Sequence, residues 1–442
     1  MYPVSLILIL YSIAFLPPSI GKSWLSLNVS VPPWLDETSR NYNYVDVLVG
    51  TPPQKIPLPI DTQTDITVMY SDRCLFCPGT RSFDESVSST FNDTNLPLNS
   101  TALAGGSWAK DTINLGGILE NKASDFVLID RITTNTTARG RWPYNGQLAL
   151  VQEALRSYNY THLFADLYQS GELIDPVIGM RLDPVNPRLT VGAIDPEDYE
   201  GTLNWVEIEP DNKEYTQYHV FKFDGFQGRN GSLAPYPNSP MLAAVDSKYI
   251  NIATPNNFTY LSSSDFVGPV YNDTIHINPL YGVLSVPCAP SSWFPGQDVP
   301  YAYVYMSIAI NGVSYEIDSK DLVRNTSALS NTGWCNLGIT TNSLVPQEPQ
   351  TILGLPFLRS VYMAYRFPTD SCPGYFGFAF PRGANRTQEQ IAQKPTSTPT
   401  LSSQCLTFAT PTSTPSPSGV PLPIGLVGAE QLVKGVWNVT GG

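Results

Sequence analysis

The sequence predicts an all-β protein built as two similar lobes around a shared cleft. From about Tyr42 to Arg382, short runs rich in β-branched and aromatic residues are broken by Gly, Pro, Asn and Asp. Such alternation between closely spaced turn residues is the mark of strands. Apolar residues make up 42% of the 442 and charged residues 14%, so a chain too long for one ordinary domain can fill two cores. A third observation is an internal repeat. "PLPIDTQT" at 57–64 and "LAAVDSKY" at 242–249 each carry an apolar run into an Asp and a hydroxyl residue. "VIGM" at 177–180 and "ILGL" at 352–355 follow, 118 residues from Asp61 to Gly179 and 108 from Asp246 to Gly354. Two ordered pairs at similar spacing suggest a duplicated lobe.

Taken in order, residues 1–21 read as a secretory signal peptide. The apolar stretch 4–16 falls short of the roughly 20 residues a bilayer span needs, and the small residues Ser19 and Gly21 follow it. Strands are expected in "YVDVLVG", "DFVLID", "LTVGAI", "AYVYMSIAI" and "VSYEID". Helical patterning is confined to 146–158 and 163–173. The expected layout is an N-terminal lobe over 22–212, a C-terminal lobe over 213–382 and a tail over 383–442. Within that tail, 394–423 is dominated by Pro, Ser and Thr; it buries too little apolar surface to offset its ordering entropy and reads as an extended stalk open to O-glycosylation. The last residues hold neither a membrane span nor a lipid-anchor signal.

The net charge of −13 and pI of 4.7 argue against nucleic acid or an anionic membrane as partner, since both call for basic patches. Export fits the rest of the composition. Eleven Asn-X-Ser/Thr sequons occur, at Asn28, Asn92, Asn99, Asn135, Asn159, Asn230, Asn257, Asn272, Asn325, Asn385 and Asn438. The six cysteines, Cys74, Cys77, Cys288, Cys335, Cys372 and Cys405, are expected in disulfides in an oxidising compartment, with the C-x-x-C at 74–77 a structural bridge and not a redox pair. Three histidines without ligand spacing argue against zinc, and no cofactor is implied.

Two lobes facing each other across a pseudo-twofold axis would bring Asp61 and Asp246 together. Carboxylates about 3 Å apart cannot both ionise, so they share a proton and their pKa values separate. One can then act as general base on a water while the other protonates the substrate carbonyl. Thr62, Thr64 and Ser247 would support the two loops.

These stretches resemble the pepsin-like aspartic peptidases, particularly secreted, fungal-type members. "YNYVDVLVGTPPQKIPLPIDT" is similar to the family's first strands and first Asp loop, and "SDRCLFC" to its small disulfide loop. "KDTINLGG" resembles the strand after the flap, "LTVGAIDPEDYEGTLNWVEI" the end of the first lobe, "VDS" the second catalytic triplet, and "TILGLPFLRSVYMAYRF" with "GYFGFAFP" the C-terminal stretch. The resemblance covers roughly Tyr42 to Pro381. It implies the bilobal pepsin-like fold, Asp61 and Asp246 at the catalytic positions, and disulfides Cys74–Cys77 and Cys288–Cys335. Cys372 and Cys405 are then left to pair, tying the tail to the body.

The same motifs depart from the family pattern of Asp-Thr/Ser-Gly-Thr/Ser. Here they read Asp61-Thr62-Gln63-Thr64 and Asp246-Ser247-Lys248-Tyr249. Glycine in such a loop serves tight backbone geometry or close approach, so Gln63 and Lys248 must turn their side chains away or part the loops. An ammonium beside a carboxylate also favours its charged form, against the shared proton. Lys248 is expected either to pair with Asp246 or Asp61, or to snorkel out of the cleft; Tyr249 is expected to pack. The flap region "LPLNSTALAGGSWAKDT" carries no tyrosine, and the sequon Asn99 lies there. Only about twenty residues separate Lys22 from Tyr42, shorter than the basic propeptides of pepsin-like zymogens, which favours a protein with no activity to restrain.

Three readings follow. The first is a secreted, glycosylated, monomeric family member, catalytically impaired and binding peptide or extended polypeptide in the cleft. The second is an active acid endopeptidase working through Asp61 and Asp246. The third is a cell-wall or surface structural glycoprotein.

Overall fold

The computed structural model describes residues 23–31, 43–77, 82–98, 104–132, 146–151, 160–209, 219–231, 233, 241–254, 276–278, 283–287, 305–324, 334–341 and 351–409. They form the all-β bilobal fold, with three large sheets and one small one. The signal-peptide reading of 1–21, Cys288 and the flap sequon Asn99 fall outside the described residues, as do six further sequons.

A seven-stranded sheet makes the N-terminal lobe. Its spatial order is Tyr44–Val49, Gln54–Asp61, Gly146–Ala149, Val68–Leu75, Leu119–Ile132, Ala104–Leu115 and Asn92–Pro97. Tyr44–Val49 alternates exposed and buried residues, as a half-covered strand should, whereas Gln54–Asp61 is buried over its last six. An eight-stranded sheet makes the C-terminal lobe, including Met241–Val245, Thr351–Leu353 and Trp334–Thr341. Beneath both lies a six-stranded sheet that takes Leu25–Asn28, Val177–Arg181, Arg188–Val191 and Tyr199–Glu207 from one half, and Tyr362–Arg366 and Tyr375–Pro381 from the other. One face of it, with Ile178, Met180, Met363, Phe376 and Phe378, joins the main hydrophobic core. The opposite face, with Val177, Tyr362, Ala364 and Ala379, forms a separate cluster.

Each aspartate loop leaves the end of a strand held by a parallel neighbour. Ile60 and Asp61 lie beside Leu148 and Ala149; Ala244 and Val245 lie beside Ile352 and Leu353. This pairing corrects two expectations. Residues 146–149 are a strand, not the start of a helix: Gly146 has φ +99°, and a Cβ there would come 2.0 Å from the Val68 carbonyl oxygen, so strand packing overrides the helical spacing. The counterpart of "ILGL" is therefore "QLAL" at 147–150, with Ala149 matching Gly354. "VIGM" lies instead in the six-stranded sheet, between Arg188–Val191 and Tyr362–Arg366. The second expected helix is present as Leu163–Gln169.

Of the stalk expected over 394–423, residues 394–409 are described and 410–423 fall outside the described residues. Residues 383–409 lie against the body. Arg386 pairs with Asp318 at 2.8 Å, and Thr387 and Gln390 form a reciprocal cap on the helix Gln388–Ile391. The Thr396 amide donates to the Asn311 carbonyl at 2.9 Å. Cys405 is bonded to Cys372 and its carbonyl accepts from Arg366 Nε at 2.8 Å. Phe408 stacks on Trp205 with centroids 5.5 Å apart, on the face of the six-stranded sheet turned away from the main core. Polar bonds and a covalent link order this segment where apolar burial would not. Cys74–Cys77 is also formed, and Cys335 is disulfide-bonded.

Candidate active site

The two Asp loops meet through their hydroxyl residues. The Thr62 amide donates to Ser247 Oγ at 3.1 Å and the Ser247 amide to Thr62 Oγ1 at 2.9 Å. Thr62 Oγ1 then donates to the Val245 carbonyl at 3.0 Å, and Ser247 Oγ to the Ile60 carbonyl at 2.7 Å. Both residues are buried, and the four bonds stitch the lobes with twofold symmetry and satisfy the amide and hydroxyl of each.

Above this floor the symmetry breaks. Asp61 is fully buried. Its Oδ1 accepts from the Gln63 amide at 2.8 Å and the Thr64 amide at 3.3 Å. Its Oδ2 accepts from Thr64 Oγ1 at 2.7 Å and pairs with Lys248 Nζ at 2.5 Å. A carboxylate offers about four lone-pair positions, and the protein fills all four. Asp246 differs. Its Oδ1 accepts from the Lys248 amide at 2.8 Å. Removal from water pushes its carboxyl up to about 6; the Lys248 ammonium opposes that rise and the Asp61 charge adds to it.

The two lost glycines are absorbed without backbone strain. Neither Gln63 nor Lys248 has positive φ, and both keep the amide-to-carboxylate bond of their loop. The positions need room for a side chain, not left-handed backbone. Gln63 turns its amide across the lobe boundary to the Val245 carbonyl. Lys248 crosses the other way, to Asp61, and also donates to Gln147 Oε1 at 3.0 Å. The tyrosine of the second loop, Tyr249, shares a 2.7 Å hydrogen bond with Thr340 Oγ1.

A family model for eukaryotic aspartyl proteases matches residues 42–372. The chain belongs to that family. The pepsin-like chain is 23% identical over 353 residues to "Major aspartyl peptidase 1" of Cryptococcus neoformans var. grubii, covering 75% of this chain and 67% of that protein. It is 24% identical over 352 residues to "Probable aspartic-type endopeptidase OPSB" of Arthroderma benhamiae, covering 74% and 67%. It is 23% identical over 344 residues to "Pepsin A" of Sus scrofa, covering 75% and 81%.

The aspartyl-protease fold thus brings together Asp61, Thr62, Gln63, Thr64, Ser247 and Lys248, with Asp246 near enough to feel the charges of Asp61 and Lys248. Sequence reasoning missed Gln147, which donates through Nε2 to Thr64 Oγ1 at 2.7 Å and to the Ile66 carbonyl at 3.2 Å. It also missed the link from flap strand to loop, in which Trp108 stacks on Tyr160 at 4.6 Å and the Tyr160 hydroxyl donates to Asp65. The signal for Gln147 was a polar residue inside an apolar run at the place where the second lobe has Ile352, visible only once the two lobes are aligned through their strands.

Proposed function

We propose that this aspartyl-protease family member is a secreted glycoprotein, impaired in acid proteolysis, that binds peptide or extended polypeptide in the cleft between an N-terminal lobe (22–212) and a C-terminal lobe (213–382). The observation that carries the reading is the saturated Asp61. A nucleophilic water needs an acceptor on each aspartate and one proton shared between them. With Lys248 on Oδ2, a water must displace an ammonium from a buried carboxylate, and the cation favours the ionised form that cannot share. The cleft itself is kept by the Thr62–Ser247 stitching. Export is supported by the apolar N-terminal stretch, the even cysteine count and the sequons; the described ones, Asn28, Asn92, Asn230 and Asn385, are all exposed.

The active-endopeptidase reading has one observation in its favour: both loops keep their backbone hold on the carboxylates without strained φ. The experiment is cleavage of a mixed peptide library by the secreted protein between about pH 3 and 6. An Asp61→Asn, Asp246→Asn double variant and a Gln63→Gly, Lys248→Gly double variant run beside it. The expected result is no cleavage by the parent and gain of cleavage in the glycine variant. Cleavage by the parent that the Asn variant abolishes would sink the impaired reading.

A further inference from the structure

We propose that Gln147 is a positioning residue that locks Lys248 onto Asp61 by closing a ring of four hydrogen bonds across the two lobes. The proposal rests on the reading of the cleft above and names what holds the obstructing cation in place. The ring runs from Gln147 Nε2 to Thr64 Oγ1 at 2.7 Å and from Thr64 Oγ1 to Asp61 Oδ2 at 2.7 Å. It returns from that same oxygen to Lys248 Nζ at 2.5 Å, and from Lys248 Nζ to Gln147 Oε1 at 3.0 Å. Three members belong to the N-terminal lobe and one, Lys248, to the C-terminal lobe.

The direction of every bond in the ring is forced. An ammonium can only donate, so the Gln147 oxygen must face Lys248. A backbone carbonyl can only accept, so the Gln147 nitrogen must face Ile66, 3.2 Å away. Thr64 spends its single proton on the carboxylate and is left to accept from Gln147. Both donors and the acceptor of the Gln147 amide are therefore used, which a residue only 6% exposed requires. A ring in which each group polarises the next is stronger than its separate bonds.

Comparison of the lobes shows that this amide is not needed for the strand. Leu148 stands beside Ile60, the residue before Asp61, as Leu353 stands beside Val245, the residue before Asp246. Gln147 thus corresponds to Ile352, a buried aliphatic residue. The same local architecture is built there from an apolar side chain. A polar side chain at 147 serves what differs between the lobes, which is the cation arriving from position 248.

The test is competitive labelling of the full-length protein with a small amine-reactive ester at fixed pH, read by mass spectrometry. The rate at Lys248 is divided by the rates at the exposed Lys55 and Lys222. Gln147→Leu should raise the ratio about tenfold, the effect of losing one hydrogen bond to a charged group. Gln147→Glu, which places a carboxylate beside the ammonium, should lower it below the parent value. If Gln147 only braced the strand, the two variants would leave the ratio unchanged or move it in the same direction, and either result overturns the ring. Should the leucine variant fail to fold, the glutamate variant decides alone: a lowered ratio supports the ring, and an unchanged or raised one overturns it. The labelling ratio does not depend on hydrolysis. Cleavage of peptides by the parent would sink the impaired reading without touching this result, and an unchanged ratio would sink the ring without touching that one.

Discussion

Lys248 and Asp246 carry opposite consequences for pH. Lys248 is 21% exposed and its partner Asp61 is fully buried, so Lys248→Met leaves a buried carboxylate without its cation. A buried pair broken on one side costs up to roughly 3–5 kcal/mol; with one partner reaching water, about 2 kcal/mol is expected at pH 7. The loss should shrink in acid, where Asp246 is protonated and no longer repels Asp61. Denaturant unfolding of parent and variant at about pH 4 and 7 checks it, and an equal loss at both would contradict it. Asp246 itself lies near 6 instead of its ordinary 3.8. The folded protein then holds a proton that the unfolded chain has released between those values, so this group's contribution to stability falls as pH rises from about 4 to 6, by at most about 3 kcal/mol. In Asp246→Asn the fall attributable to this group should disappear. Parallel melting curves of parent and variant across that window would show that Asp246 does not titrate there.

At the scale of elements, the strands that carry the aspartates depend on one another through close backbone packing. A Cβ at Gly354 would lie 2.2 Å from the Tyr249 carbonyl oxygen and 2.1 Å from that of Asn251, and neither can retreat without moving the second Asp loop. Gly354→Ala should therefore cost about 1–3 kcal/mol and disturb the Ser247 end of the interlobe bonds. A melting temperature equal to the parent's would show that the loop yields freely. The first lobe already carries Ala149 at the matching position, so the constraint differs between halves that share a topology. Spacing along the chain could not find this counterpart, because parallel pairing joins strands distant in sequence and leaves the intervening length free.

For the molecule as a whole, the segment 383–409 acts as a strap over the six-stranded sheet. It joins the hairpin at Asn311, the ion pair at Asp318 and the Trp205 face to one covalent anchor at Cys372. The disulfide closes a separation of 33 residues, which the loop-entropy relation values at about 3–4 kcal/mol. A chain ending at Arg382 should melt several degrees below one ending at Ala409. Identical calorimetric midpoints for the two truncations would refute a stabilising strap. The Pro/Ser/Thr composition of 394–423 argued for an extended stalk, of which residues 394–409 are described. Apolar burial alone does not count the side-chain bonds of Thr396 and Ser397 to Asn311.

The sequence by itself determined the all-β class, because alternation and turn residues act locally, and it determined the family, because Asp61, Thr62, Asp246 and Ser247 stand in recognisable strings. It also marked Gln63 and Lys248 as the places of departure. Only the tertiary structure decided that the Lys248 ammonium reaches the aspartate of the opposite lobe, that Gln147 receives it, and that Gln63 crosses to Val245. Each of these is a meeting of residues about 100 or more positions apart. Such meetings are set by which strands lie side by side, and side-chain type at one position carries no record of what faces it across the cleft.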